Sequence, residues 1–77
     1  MDTAADDLLD CRGLSCPVPK IKLVLRLRKL ASGTVVELLE TDPGSKTDIP
    51  KWCAKTGNVL LKTEERAGVY HYFIRKK

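Results

Sequence analysis

Aromatic side chains are few: one Trp, one Phe and two Tyr in 77 residues, which leaves little stacking surface for single-stranded nucleic acid. No run comes near the roughly 18 apolar residues of a membrane-spanning helix. The amino terminus opens on acids, Asp2, Asp6 and Asp7, where a secretory leader would place basic residues and an apolar core. A cytoplasmic protein with no membrane partner is therefore expected. Three cysteines, Cys11, Cys16 and Cys53, are an odd count outside a secretory context, which argues against a disulfide framework and for free thiols in a reducing compartment. There is no glycine-rich phosphate loop, no pair of catalytic carboxylates and no Ser/His/Asp arrangement, and His71 is the single histidine. Low-complexity tracts, repeats and long linkers are missing too, so residues 1–77 read as one domain with residues 1–6 frayed.

What is there suits a folded chain. Hydrophobic residues make up 43% and charged residues 31%, enough apolar surface to offset chain entropy. A domain this small buries only about 60% of the surface its unfolded chain exposes, so its core is thin. The formal charge is +4, with acids gathered at the front and Arg75, Lys76 and Lys77 at the end. Any affinity for nucleic acid would have to come from the placement of basic residues rather than from their total.

Leu8 to Cys11 alternates weakly and reads as a short strand ending at Arg12-Gly13. From Pro17 to Ala31 the apolar residues follow a helical period, with Leu23, Val24, Leu27, Leu30 and Ala31 on one arc and Lys22, Arg26 and Lys29 on the other. Ser32-Gly33 closes that helix. Thr34 to Thr41 is strand-like, and Asp42-Pro43-Gly44 breaks it as a turn. With Ser45 or Thr47 as N-cap, a second helix is expected over Asp48 to Lys55, grouping Ile49, Trp52, Cys53 and Thr56 on one side. Asn58 to Glu65 and Val69 to Arg75 form two further strands around Arg66-Ala67-Gly68. The order βαβαββ predicts an α/β two-layer sandwich: a four-stranded mixed sheet with two helices on one face.

Cys16-Pro17-Val18-Pro19 is the most informative segment. A proline confines the residue before it to extended geometry, so Cys16 is expected at the N-cap of the first helix with Pro17 at N1. Unpaired N–H groups and the positive end of the helix dipole there favour an anion, which lowers a thiol's pKa and makes Cys16 a candidate nucleophile. Pro17 and Pro19 carry no N–H, which leaves the Val18 N–H as the main donor for the sulfur. Arg12, Lys20 and Lys22 add positive charge nearby. Cys11, five residues earlier, is a candidate second thiol, either a resolving partner or plain core packing. Cys53, beside Trp52 on an apolar side, reads as buried and inert. A zinc site from Cys11, Cys16, Cys53 and His71 lacks the tight Cys-x₂-Cys spacing of structural zinc, and no metal is expected.

Leu9-Asp10-Cys11-Arg12-Gly13-Leu14-Ser15-Cys16-Pro17-Val18-Pro19 resembles the Asp-x-Arg-Gly-Leu-x-Cys-Pro-x-Pro signature of the TusA/SirA-like sulfur-carrier family. Residues 41–58 (TDPGSKTDIPKWCAKTGN) resemble that family's second segment, so the likeness spans nearly the whole chain. The resemblance implies the same βαβαββ sandwich, a persulfide carried on Cys16, and no other cofactor. It implies a sulfur-donor protein, either a cysteine desulfurase or rhodanese-like, and a sulfur-acceptor protein. The destinations in the family are tRNA thiolation, molybdenum-cofactor synthesis and sulfur oxidation.

The function expected is thus a sulfurtransferase-type persulfide carrier that acts with protein partners rather than as an independent enzyme, monomeric when free. Arg12, Gly13, Pro17, Val18 and Pro19 would shape the site, and Lys20, Lys22, Arg26 and Lys29 would dock an acidic partner. One alternative is a small basic RNA-binding module built on Lys22, Arg26, Lys29, Tyr70 and Tyr72. Direct nucleic-acid binding is nonetheless not expected, because an exposed helix face is charged by default. Another is a regulatory interaction module without chemistry.

Overall fold

The computed structural model describes residues 5–15 and 17–77. Its elements are β1 (Asp7–Cys11), α1 (Val18–Arg28), β2 (Val35–Glu40), α2 (Ser45–Thr56), β3 (Val59–Arg66) and β4 (Val69–Arg75), the expected βαβαββ order. The sheet runs β1-β2-β4-β3. β1 and β2 are parallel, a pairing that needs a crossover such as α1 supplies, and the other two pairs are antiparallel.

Alternation decides which side chains face the helices. The register sets Leu9 and Cys11 beside Leu38 and Glu40, and sets Val36, Leu38 and Glu40 beside Ile74, Tyr72 and Tyr70. Onto these residues pack Leu23 and Leu27 from α1 and Ile49 and Cys53 from α2, forming one core on one sheet face. On the far face Leu39 and Phe73 are buried among polar neighbours, with the Lys62 ammonium 5.9 Å from the Phe73 ring centre. Among the described residues no helix is long and apolar enough to cross a membrane.

Several boundaries differ from the sequence reading. Asp6 is not frayed: its N–H donates to the Val35 carbonyl at 2.8 Å and its carboxylate accepts the Val35 N–H at 3.0 Å. α1 stops at Arg28 and leaves Ala31 exposed, because Lys29 and Leu30 donate to carbonyls three residues back and tighten the chain before Gly33, at φ +88°. α2 starts at Ser45, three residues early. The Asp42 carboxylate accepts the Gly44 N–H at 3.0 Å and turns the backbone directly into the helix. Ser45 is no cap; its hydroxyl is buried 2.6 Å from the Tyr72 hydroxyl. The helix runs on through Pro50, whose missing N–H removes one internal bond. Thr56 is exposed, its hydroxyl donating to the Trp52 carbonyl at 2.8 Å. In the hairpin Arg66 pairs with Val69, which leaves a two-residue turn of Ala67 (φ +51°) and Gly68 (φ +78°).

Candidate functional site

β1 delivers the chain to the start of α1 through a tightly braced turn. The Asp10 carboxylate accepts hydrogen bonds from Arg12 Nη2 (2.7 Å), Nε (2.9 Å) and N–H (3.1 Å). Those bonds hold Asp10 down to about 2 and commit the Arg12 guanidinium to Asp10. Gly13 sits at φ +79°, a conformation that side chains resist, and its N–H donates to Thr41 Oγ1 at 2.9 Å, pinning the turn to the end of β2. Leu14 closes the turn with a bond to the Cys11 carbonyl at 3.2 Å.

Cys16 lies outside the described residues, so its expected N-cap position is not described; its flanks are. The Val18 N–H donates to the Ser15 carbonyl at 3.0 Å, and the Ile21 N–H to the Pro17 carbonyl at 3.1 Å. Pro17 is itself the N-cap (φ −98°, ψ 11°), one residue later than expected, with Val18 and Pro19 as the first helical residues. The Val18 N–H, expected to serve the sulfur, closes a turn onto the Ser15 carbonyl before the helix begins. The first turn of α1 contains no acidic residue.

Beneath that turn the buried Pro19 and its neighbour Lys20 meet Glu40, Asp42, Ser45, Asp48 and Ile49 around a void of about 10 Å³. Lys20 Nζ bridges to Asp48 at 2.9 Å. Glu40 is 3% exposed and its Oε2 has no hydrogen-bond partner among the described residues. Burial, with Asp42 and Asp48 beside it, pushes this carboxyl up to about 7. The sequence reading missed Glu40, although alternation along Val36, Leu38 and Glu40 sets it on the core face.

The two described cysteines are buried, and their surroundings favour the neutral thiol. Cys11 is fully buried in the core, the second of the two arrangements open to it, and its thiol is pushed up by burial and then by the Glu40 carboxylate. Burial pushes Cys53 up to about 11. His71 faces the opposite side of the sheet from Cys11, with Nδ1 2.8 Å from Glu37.

The expected docking stripe is divided. Lys22 and Lys29 are exposed, but Arg26 reaches Asp7 at 2.7 Å and Lys20 is bridged to Asp48. An apolar row missed by the sequence reading lies on α1 instead: Val18, Ile21 and Leu25, the last two 53% and 52% exposed. Ile21 and Leu25 share a shallow groove with Lys20, Val24 and Arg28. Tyr70 and Tyr72 are buried, which takes from the RNA-binding alternative both of its aromatic side chains.

Known proteins match this arrangement along the whole chain. Residues 8–76 match the family model described as Sulfurtransferase TusA. A sulfur carrier protein TusA of Pseudomonas putida (strain W619) is 45% identical over 76 residues, covering 99% of this chain and 95% of that protein. Its counterpart in Pseudomonas aeruginosa (strain LESB58) is 43% identical, covering 100% and 98%. Among solved structures, a SirA-like protein from Desulfitobacterium hafniense superposes with a TM-score of 0.80 at 27% identity, over 90% of this chain and 95% of that one. With its Cys-Pro-Val-Pro motif and its βαβαββ sandwich, this chain belongs to the TusA family of sulfurtransferases.

Proposed function

We propose that this member of the family carries sulfur as a persulfide on Cys16, with no further cofactor, between a donor protein and an acceptor protein. The observation that carries the reading is the fate of the other thiols. Cys11 and Cys53 are buried and pushed toward the neutral form, which leaves Cys16, before Pro17 and α1, as the thiol for exchange. In loading, the Cys16 thiolate attacks the terminal sulfur of a donor persulfide. The donor's S–S bond breaks, its electron pair leaves on the donor thiolate, and a new S–S bond forms at Cys16. In delivery an acceptor thiolate attacks that terminal sulfur and Cys16 leaves as thiolate. No external oxidant or reductant enters either step.

A cysteine desulfurase or rhodanese-like protein suits the donor role, since both present a protein-bound persulfide. Docking falls to the exposed face of α1, where Lys22 and Lys29 reach solvent and can meet acidic groups, with Lys20 and Arg26 tied into bridges. Incubation with a persulfide donor and intact-mass measurement should add one sulfur atom to the wild type and none to Cys16→Ser. Equal loading of both proteins would overturn the assignment.

A further inference from the structure

Helix α1 is apolar on two sides. Its inner side presents Pro19, Leu23 and Leu27, all buried, and its outer side presents Val18, Ile21 and Leu25, which are 40%, 53% and 52% exposed. A helix apolar on both faces is ordinarily covered on both, and a contiguous exposed apolar row marks an interaction surface. Val18, Ile21, Leu25 and Arg28 follow one another at intervals of three, four and three residues, the a and d positions of a heptad seam. Lys22 and Lys29 then take the two e positions on one flank, while Val24, at g, lines the groove beside Ile21 and Leu25 on the other. From Val18 to Arg28 the row spans about 15 Å, or about three turns of a facing helix. The charge of this face has one sign. α1 contains Lys20, Lys22, Arg26 and Arg28 and no acid, and Lys22, Arg28 and Lys29 are exposed and in no ion pair among the described residues.

We propose that this face is a short heptad seam for a helix of a protein partner, one that sets apolar residues against Val18, Ile21 and Leu25 and carboxylates against Lys22 and Lys29. This rests on the reading of the chain as a carrier that docks on proteins through α1. Apolar burial supplies the anchor, and the lysines choose the partner: an acidic flank is attracted and a basic one repelled. A second copy of this chain is a poor occupant, since its α1 offers the same cations and no acid to meet them. With three apolar residues the seam is short, so the complex forms and releases readily, which suits a protein that leaves one partner for the next. The seam starts inside the Cys-Pro-Val-Pro motif, at Val18.

The test titrates the full ¹⁵N-labelled chain with a synthetic helical peptide of about three heptads that carries Leu at a and d and Glu at e and g. Amide shifts should centre on Ile21, Lys22, Leu25 and Lys29 and saturate below about 1 mM peptide at low salt, and added salt should weaken the binding. The same peptide with Lys at e and g should bind about tenfold more weakly or worse, and the double variant Lys22→Glu, Lys29→Glu should reverse that preference. Ile21→Ser with Leu25→Ser, both at half-exposed positions where the fold survives substitution, should abolish binding. Absence of shifts at that concentration, shifts centred away from α1, or equal affinity for the two peptides would overturn the proposal. Shifts that appear on concentrating the protein alone would make a second copy the occupant, and binding to phosphatidylglycerol vesicles but not to the peptide would make it a lipid surface; either result also overturns it. Cys16→Ser should bind the peptide as the wild type does, so a failed carrier role, read by persulfide loading, and a failed seam, read by this titration, are distinguishable.

Discussion

Helix α2 begins with the Asp42 carboxylate on the Gly44 N–H and with Asp48 in its first turn, whereas α1 begins on Pro17-Val18-Pro19 with no acid there. Both starts carry the positive end of a helix dipole. At α2 the chain supplies its own carboxylates to meet it. At α1 two prolines withdraw donors, the Val18 N–H turns back to Ser15, and no acid of the first turn takes up the field. A helix start satisfied from within is structural; one whose own first turn carries no acid can favour a transient anion such as a thiolate or persulfide.

The thiols provide the strongest way to break this comparison. Under native conditions Cys16 should be alkylated faster than Cys53, which sits on α2 with its thiol up at about 11, by a factor on the order of 10³. Peptide mass along an iodoacetamide time course reads both. Modification of Cys53 first would reverse the roles given to the two helices.

Stability against pH comes next. The folded carboxyl of Glu40 lies at about 7, above its unfolded value, so its contribution is fully present below about pH 4.5 and is lost as pH rises to about 7. The full difference is up to about 3 kcal/mol. Urea unfolding should show wild-type stability falling between pH 5 and 8 and a much flatter profile for Glu40→Gln. Equal slopes in the two proteins would mean that Glu40 ionises freely in the fold.

At the start of α2, Asp42→Ala removes the acceptor of the Gly44 N–H and should cost about 1 kcal/mol. It should also lower the Glu40 midpoint by removing a neighbouring negative charge, which carboxyl NMR can follow. The smallest effect expected is the link between the two helix starts. A double-mutant cycle on Lys20→Ala and Asp48→Ala should give a coupling of about 0.5 kcal/mol, since the bridge is about one-third exposed, and salt should reduce it.

Much of the fold is legible in the residues alone. The alternation in β2 and β4, the helical period around Leu23 and Leu27, and the breaks at Gly33, Gly57 and Gly68 are local patterns, and the sandwich follows from their order. Gly13 is legible as a motif residue, and its φ of +79° supplies the reason. The start of α2 is not, because Pro50 and the turn residues 42–44 disguise a helix that an aspartate hydrogen bond begins. The docking stripe misleads for a related reason. A helical wheel places Arg26 beside Lys22, yet only the fold reveals Asp7, 19 residues away, at 2.7 Å.

By itself the sequence determined the element order, the Cys-Pro-Val-Pro motif and the family, since periodicity and the steric limits on proline and glycine act over a few residues. Tertiary structure decided which of the described thiols are buried, which lysines and arginines are already paired, and that Glu40 ends in the core, lining a void with Pro19, with one oxygen unpaired among the described residues. Burial and charge pairing depend on which distant segments pack together. The same glutamate that is an ordinary acid in the unfolded chain becomes, once β2 is covered by both helices, a group that holds its proton near neutral pH.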